Sequence, residues 1–126
     1  MAGLRKIDSI MMRVTDLDSS ARFYEEVMGL KRAWTDKVNQ MVGFLFPGNN
    51  SELVIHTNST LSSPSYSFSV DDVVEFCERF REQGYAVLME PFEVRCGMYA
   101  VLADPDGNRI NIIDLKKFGG EPRYDV

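Results

Sequence analysis

The chain has 126 residues, of which 44% are hydrophobic and 26% are charged, and its net charge is −5 at pH 7. This composition is typical of one globular domain; no apolar run reaches the roughly 20 residues of a membrane helix, and no basic stripe suggests a nucleic-acid partner. The N-terminal residues lack the apolar core of a signal peptide, so we expect a cytoplasmic protein.

The first half of the chain is predicted to form a strand, a helix and three further strands. An alternating strand ends at Val14, Asp16 marks a helix start, and Gly29 offers a left-handed helix cap after residues 19–28. The later strands of this half are expected at residues 31–34, 41–46 and 52–56, with a hairpin turn at 47–50. We expect Phe23 and Val27 to pack this helix onto the sheet.

The second half repeats that order after a polar linker at residues 58–64. Its first strand ends at Val70, Asp72 marks the helix start, and Gly84 stands at the helix end. The strands that follow are expected at residues 86–89, 98–102 and 109–114, with a turn at 104–108. Val14 and Val70 lie 56 residues apart, as do Asp16 and Asp72, which indicates an internal repeat of about half the chain.

Strand alternation separates the helix side of the predicted sheet from the opposite face. We expect Tyr66, Phe68 and Val70 to pack under the second helix. The opposite face then carries serines together with charged and amide side chains, and if the sheet curls, this face encloses a cavity. We predict the following ligand-binding residues: Ser9, Met11, Arg13, Trp34, Glu52, His56, Ser65, Ser67, Tyr99 and Asn111. Phe44 is a further candidate for the cavity wall.

Two motifs give the chain a family resemblance. Residues 14–30, with Val-Thr-Asp-Leu-Asp-Ser-Ser, Phe-Tyr and Met-Gly-Leu, and residues 103–110, with Ala-Asp-Pro-Asp-Gly-Asn-Arg-Ile, resemble the vicinal-oxygen-chelate superfamily of glyoxalases, bleomycin-resistance proteins and extradiol dioxygenases. The resemblance implies an α+β fold in which two tandem βαβββ modules form a curled mixed sheet around a cavity. We expect a single domain over residues 1–126, with modules at about 5–57 and 64–115.

Metal-dependent members of that superfamily hold a divalent ion with four His or Glu side chains. The resemblance places those positions at Ser9, Glu52, Ser65 and Asn111, of which only Glu52 is a strong ligand. We therefore expect no metal ligands and no cofactor. A displaced site that combines Glu52 with His56 is the alternative.

We expect a metal-free small-molecule binding protein, similar to the drug-sequestering bleomycin-resistance proteins and dimeric like them, rather than an enzyme. The alternative is a lyase, isomerase or dioxygenase of the glyoxalase or epimerase type, in which Glu52 and His56 are catalytic. Structural roles also stay open: Glu52 could face solvent after a turn, His56 could be a hydrogen-bonded sheet residue, and Arg13 could pair with Glu52 across neighbouring strands.

Overall fold

The computed structural model describes residues 3–48 and 51–119. The chain forms its strands and helices in the predicted order, βαβββ twice. The elements are β1 Lys6–Arg13, α1 Leu17–Arg22, a π-helical turn Phe23–Val27, β2 Lys31–Asp36, β3 Met41–Leu45, β4 Glu52–His56, β5 Ser65–Ser69, α2 Val73–Glu82, β6 Val87–Glu93, β7 Met98–Ala103, β8 Arg109–Ile113 and a 3₁₀ turn Lys116–Phe118.

Within the described residues, the fold is α+β with an eight-stranded mixed sheet and two helices, as predicted. The chain divides into two compact units. Within the described residues, the N-terminal unit comprises 9–66 and the C-terminal unit comprises 3–8 and 67–119. In the part of the chain that is described, neither helix has the length and apolar character needed to cross a membrane.

The N-terminal unit has the strand order β2-β3-β4-β1, in which β1 runs parallel to β4. One face of these strands packs against α1 through a buried cluster of Ala21, Val42, Phe44 and Ile55. The prediction for Phe23 and Val27 is wrong, since their side chains are 47% and 69% exposed. Leu17, Ala21 and Tyr24 follow the i, i+4, i+7 spacing that faces the sheet, so positions 23 and 27 point elsewhere.

The C-terminal unit has the strand order β5-β8-β7-β6, in which β5 runs parallel to β8. Its helix-side core consists of Val70, Val73, Cys77, Ala100, Leu102 and Ile112. Val70 lies in this core as predicted, whereas the prediction for Tyr66 is wrong, because its side chain is 53% exposed.

The ends of both helices follow the sequence signals. Asp16 accepts a hydrogen bond from the Ser19 amide at 3.0 Å, and Asp72 accepts one from the Glu75 amide at the same distance. The chain leaves the helical segments through glycines 29 and 84, whose φ angles of 76° and 91° are left-handed. The predicted turn at 47–50 lies partly outside the described residues.

A buried carboxylate fixes the start of α2. Asp114 is completely buried, and its Oδ2 accepts a hydrogen bond from the Val73 amide at 2.9 Å, while Oδ1 accepts one from the Met98 amide at 3.0 Å. Gly97 leaves the space this carboxylate occupies, since a Cβ at position 97 would overlap Asp114. Asp114 is therefore a structural residue that joins β7, β8 and α2.

Candidate functional site

The face of the N-terminal unit opposite α1 is an apolar wall. Its buried members are Ala33, Trp34, Leu45 and Val54, against which Met11 and Met41 pack. Phe44 belongs to the helix-side core instead, so its predicted place on the cavity wall is wrong. Trp34 and Met11 lie on the predicted face. Polar side chains on such a wall are candidates for ligand contacts.

Glu52 and Trp34 meet on this wall. The indole Nε1 of Trp34 on β2 donates a hydrogen bond to Oε1 of Glu52 on β4, at 2.9 Å. The strand between them carries Gly43, where an added Cβ would overlap the indole ring. A glycine at this position therefore lets the indole lie flat against β3 and reach the carboxylate.

His56 is completely buried at the end of β4. Its Nδ1 accepts a hydrogen bond from the Asn58 amide at 3.1 Å, so in the neutral ring the hydrogen resides on Nε2. This Nε2 is buried and has no hydrogen-bond partner within the described residues. Burial, and then the positive charge of Arg13, hold the pKa of His56 below its usual 6.5. The ring is thus a neutral hydrogen-bond donor at pH 7.

Arg13 does not pair with Glu52. In the parallel register of β1 and β4, Arg13 lies beside His56, and Ser9 lies beside Glu52. The Arg13 guanidinium instead donates to the carbonyl oxygens of Leu61 at 3.1 Å and Ser59 at 3.5 Å, both in the linker. The proposed ion pair between Arg13 and Glu52 is therefore replaced by a contact with the linker backbone.

The displaced metal site that would combine Glu52 and His56 does not fit the structure. The two residues lie on the same face of β4 but four residues apart, which separates their Cα atoms by about 13 Å. The donor atoms of two side chains that bind one ion lie within a few ångströms of each other. Besides, Nδ1 of His56 is engaged by Asn58, and Nε2 carries the hydrogen.

The predicted residues of the C-terminal unit form a second polar group. Tyr99 lies on β7, Asn111 lies on β8, and Ser67 on β5 is in register with Asn111. Burial, followed by the negative charge of Asp8, raises the pKa of Tyr99 to about 12. The Asn111 Oδ1 atom is buried without a partner in the described part of the chain.

Asp8 is a buried acid that the sequence analysis missed. It is only 5% exposed, and burial raises the pKa of its carboxyl, against the opposing charge of Lys6. The sequence feature that could have indicated this buried acid is a carboxylate between the apolar Ile7 and Ile10 in a predicted strand. Of the other predicted contacts, Ser9 and Ser67 are buried and Ser65 is half-buried.

No cluster of metal ligands is found among residues 3–48 and 51–119. A transition-metal site takes three or four imidazole, thiolate or carboxylate donors. No three His, Cys, Asp or Glu side chains of the described residues come together in that way. These donors do not make up a complete site for a divalent ion.

Comparison with known proteins identifies relatives along most of the chain. Residues 6–112 match a family model described as the Glyoxalase/Bleomycin resistance protein/Dioxygenase superfamily. The chain is 33% identical over 124 residues to a lactoylglutathione lyase from Salmonella typhimurium, covering 86% of this chain and 92% of the relative. It is 32% identical over 124 residues to a lactoylglutathione lyase from Shigella flexneri, with the same coverage of both chains.

Solved structures show the same fold at lower identity. A methylmalonyl-CoA epimerase from Streptomyces coelicolor has a TM-score of 0.68 and 19% identity, over 87% of this chain and 94% of that one. A 2,3-dioxygenase from Pseudomonas sp. KL28 has a TM-score of 0.66 and 21% identity, over 89% of this chain and 41% of that one.

The comparisons overturn the expectation of a cofactor-free protein and weaken that of a drug-binding one. Lactoylglutathione lyase, methylmalonyl-CoA epimerase and dioxygenase relatives are typically metal-dependent, so the prediction that no metal cofactor is used is wrong. The metal-free, drug-sequestering interpretation gains no specific support from the relatives, which agree better with the alternative of a lyase.

Proposed function

The chain belongs to the Glyoxalase/Bleomycin resistance protein/Dioxygenase superfamily, and from that premise we propose that it is a glyoxalase-like lyase or isomerase of small, thiol-linked carbonyl compounds. The fold alone would not select an activity. What supports a lyase is the identity of 32–33% to proteins named lactoylglutathione lyase, over more than four fifths of the chain.

The observation that carries the proposal for the site is the carboxylate of Glu52 on the apolar wall of the N-terminal unit. Trp34 holds this carboxylate by a hydrogen bond at 2.9 Å, and Met11 and Val54 lie on the same wall. Apolar walls with a few oriented polar groups are typical of small-molecule sites. We assign the reacting part of the substrate to this wall.

The chemistry available to Glu52 is proton transfer next to a carbonyl group. The carboxylate takes the proton from the carbon beside the carbonyl, and the electron pair of the broken C–H bond moves into an enolate. The same carboxyl group then returns the proton to the former carbonyl carbon, while the hydroxyl proton on the starting carbon passes to the former carbonyl oxygen, so the product is an isomer of the substrate with no atoms or electrons gained or lost. The Trp34 hydrogen bond fixes the direction from which Glu52 reaches the substrate.

The test is an assay of lactoylglutathione formation from methylglyoxal and glutathione, with and without added Zn²⁺, Ni²⁺ or Mn²⁺. We expect turnover, and we expect Glu52→Gln to lower kcat by about 100-fold or more, as loss of a general base does. The matched control is Glu26→Gln, an exposed acid on the π-helical turn, which should keep full activity.

Two results would contradict the proposal in different ways. No turnover under any metal condition removes the lyase activity itself. Turnover that survives Glu52→Gln unchanged keeps the lyase but removes Glu52 from the site.

A homodimer and a cytoplasmic location belong to the same proposal. Support for a dimer comes from β6, which ends the strand order of the C-terminal unit and carries Leu88, Met89 and Phe92 with 40–51% exposed side chains. Sedimentation velocity of the purified chain tests the oligomeric state, and a monomer at micromolar concentration would contradict it.

A further inference from the structure

We infer that His56 is a specificity-determining residue whose Nε2–H donates a hydrogen bond to an oxygen on the thiol carrier of the substrate, at a distance from the reacting carbonyl. The inference rests on the proposed function, since it names a second contact of the same ligand. It gives His56 a role as neither general base nor metal ligand.

A hydrogen bond from Asn58 fixes the tautomer of the His56 ring. A backbone amide can only donate, so the bond from Asn58 N to His56 Nδ1 at 3.1 Å makes Nδ1 an acceptor. The remaining hydrogen of the neutral ring then sits on Nε2. In this state Nε2 has no lone pair with which to accept a proton or to bind a metal.

Nε2 of His56 lacks a hydrogen-bond acceptor. It is buried and makes no hydrogen bond to any described residue. A buried donor left without an acceptor costs about 1–3 kcal/mol, and native structures rarely keep one without a reason. An oxygen of a bound ligand would satisfy it.

His56 lies too far from Glu52 for both to contact the same group of a ligand. Residues 52, 54 and 56 of β4 point to the same face, and four residues of strand separate Glu52 from His56 by about 13 Å. One carbonyl group cannot contact both side chains. A substrate whose reacting carbon lies at Glu52 therefore meets His56 through its distal part, which in lactoylglutathione is the peptide.

The chain contains a single tryptophan and a single histidine, and each reports on one part of the inference. Trp34 fluorescence measures binding at the wall, and the ¹⁵N chemical shifts of His56 give the tautomer and the state of Nε2–H. Two ligands form a matched pair. S-propylglutathione carries the whole peptide, whereas S-propyl-N-acetylcysteamine ends before the distal oxygens.

In the protein without ligand we expect a hydrogen on Nε2 and none on Nδ1. Both ligands should change Trp34 fluorescence in a saturable way, but only S-propylglutathione should shift the His56 Nε2–H resonance. A hydrogen on Nδ1, or saturable binding of S-propylglutathione with an unchanged Nε2–H resonance, overturns the inference and leaves the proposed lyase intact. Absence of both turnover and binding overturns the proposed function, and the inference with it.

Variants supply a second readout. His56→Phe removes the donor, and we expect it to raise KM for the glutathione substrate about tenfold, the value of one hydrogen bond, and to lower kcat less than that. His56→Gln keeps a side-chain N–H, and we expect KM between those of the wild type and His56→Phe. A larger loss in kcat than in KM, with no rescue by His56→Gln, would contradict a contact with the carrier.

Discussion

The contact between Trp34 and Glu52 depends on the missing side chain at position 43, and Gly43→Ala tests this dependence. A Cβ at position 43 would lie 2.6 Å from Cζ2 of Trp34 and nearer still to other atoms of the ring, whereas carbon atoms pack at about 3.5–4.0 Å. The indole must therefore move by about 1 Å. Such a shift lengthens the 2.9 Å bond to Glu52 beyond hydrogen-bonding distance.

The expected cost combines two effects. Losing a hydrogen bond to a charged acceptor costs about 1.5–3 kcal/mol, and overpacking a buried site costs about 1–3 kcal/mol. We expect Gly43→Ala to lower the free energy of unfolding by the sum of the two, about 2.5–6 kcal/mol, measured by urea denaturation, and to change the emission of Trp34.

The control is Gly48→Ala, where an added Cβ meets nothing within 4 Å. Its stability should stay within about 0.5 kcal/mol of the wild type. If Gly43→Ala behaved like Gly48→Ala in both stability and fluorescence, the described packing of the indole on β3 would be wrong.

Three further predictions concern buried polar groups. Asp114→Asn should lose about 1.5–3 kcal/mol of stability in urea, because it weakens bonds to the backbone amides of Val73, Met98 and Lys116, while the exposed turn variant Asp106→Asn should lose almost none. Because the pKa of His56 is lowered in the folded state, the stability that its neutral ring contributes is present above pH 6.5 and is lost as the pH falls through the folded pKa. Thermal melts of His56→Phe at falling pH should lack this loss of stability. Because its pKa is raised to about 12, Tyr99 should ionise late in an absorbance titration, and a titration of Tyr99→Phe that still shows this late step would contradict the assignment.

The secondary structure was largely predictable because the signals are local. The strand at residues 52–56 has the predicted bounds, and both Asp caps and both left-handed glycines depend on residues within one helical turn of them. Phe23 and Val27 show the limit of this reasoning. They are apolar and helical, but the stripe that faces the sheet is defined by Leu17, Ala21 and Tyr24.

The site was predictable as a set of residues but not as a set of contacts. The bond between Trp34 and Glu52 crosses a third strand and depends on the register shift between Arg32 and Trp34 in β2. The tautomer of His56 depends on the course of the backbone at Asn58, which no side-chain pattern encodes. Such contacts arise between residues distant in sequence or from backbone geometry.

The contacts of Arg13 change what kind of segment the linker is. Residues 57–64 contain neither helix nor strand, and exposed segments of that type are usually where proteases cut first. Here one guanidinium holds the carbonyls of Ser59 and Leu61, and the Arg13 amide donates to Ser63 Oγ at 2.9 Å. A protease of broad specificity should therefore leave the intact linker uncut and cleave it rapidly in Arg13→Ala. The contacts of Arg13 thus protect the segment between the two halves of the repeat from proteolysis.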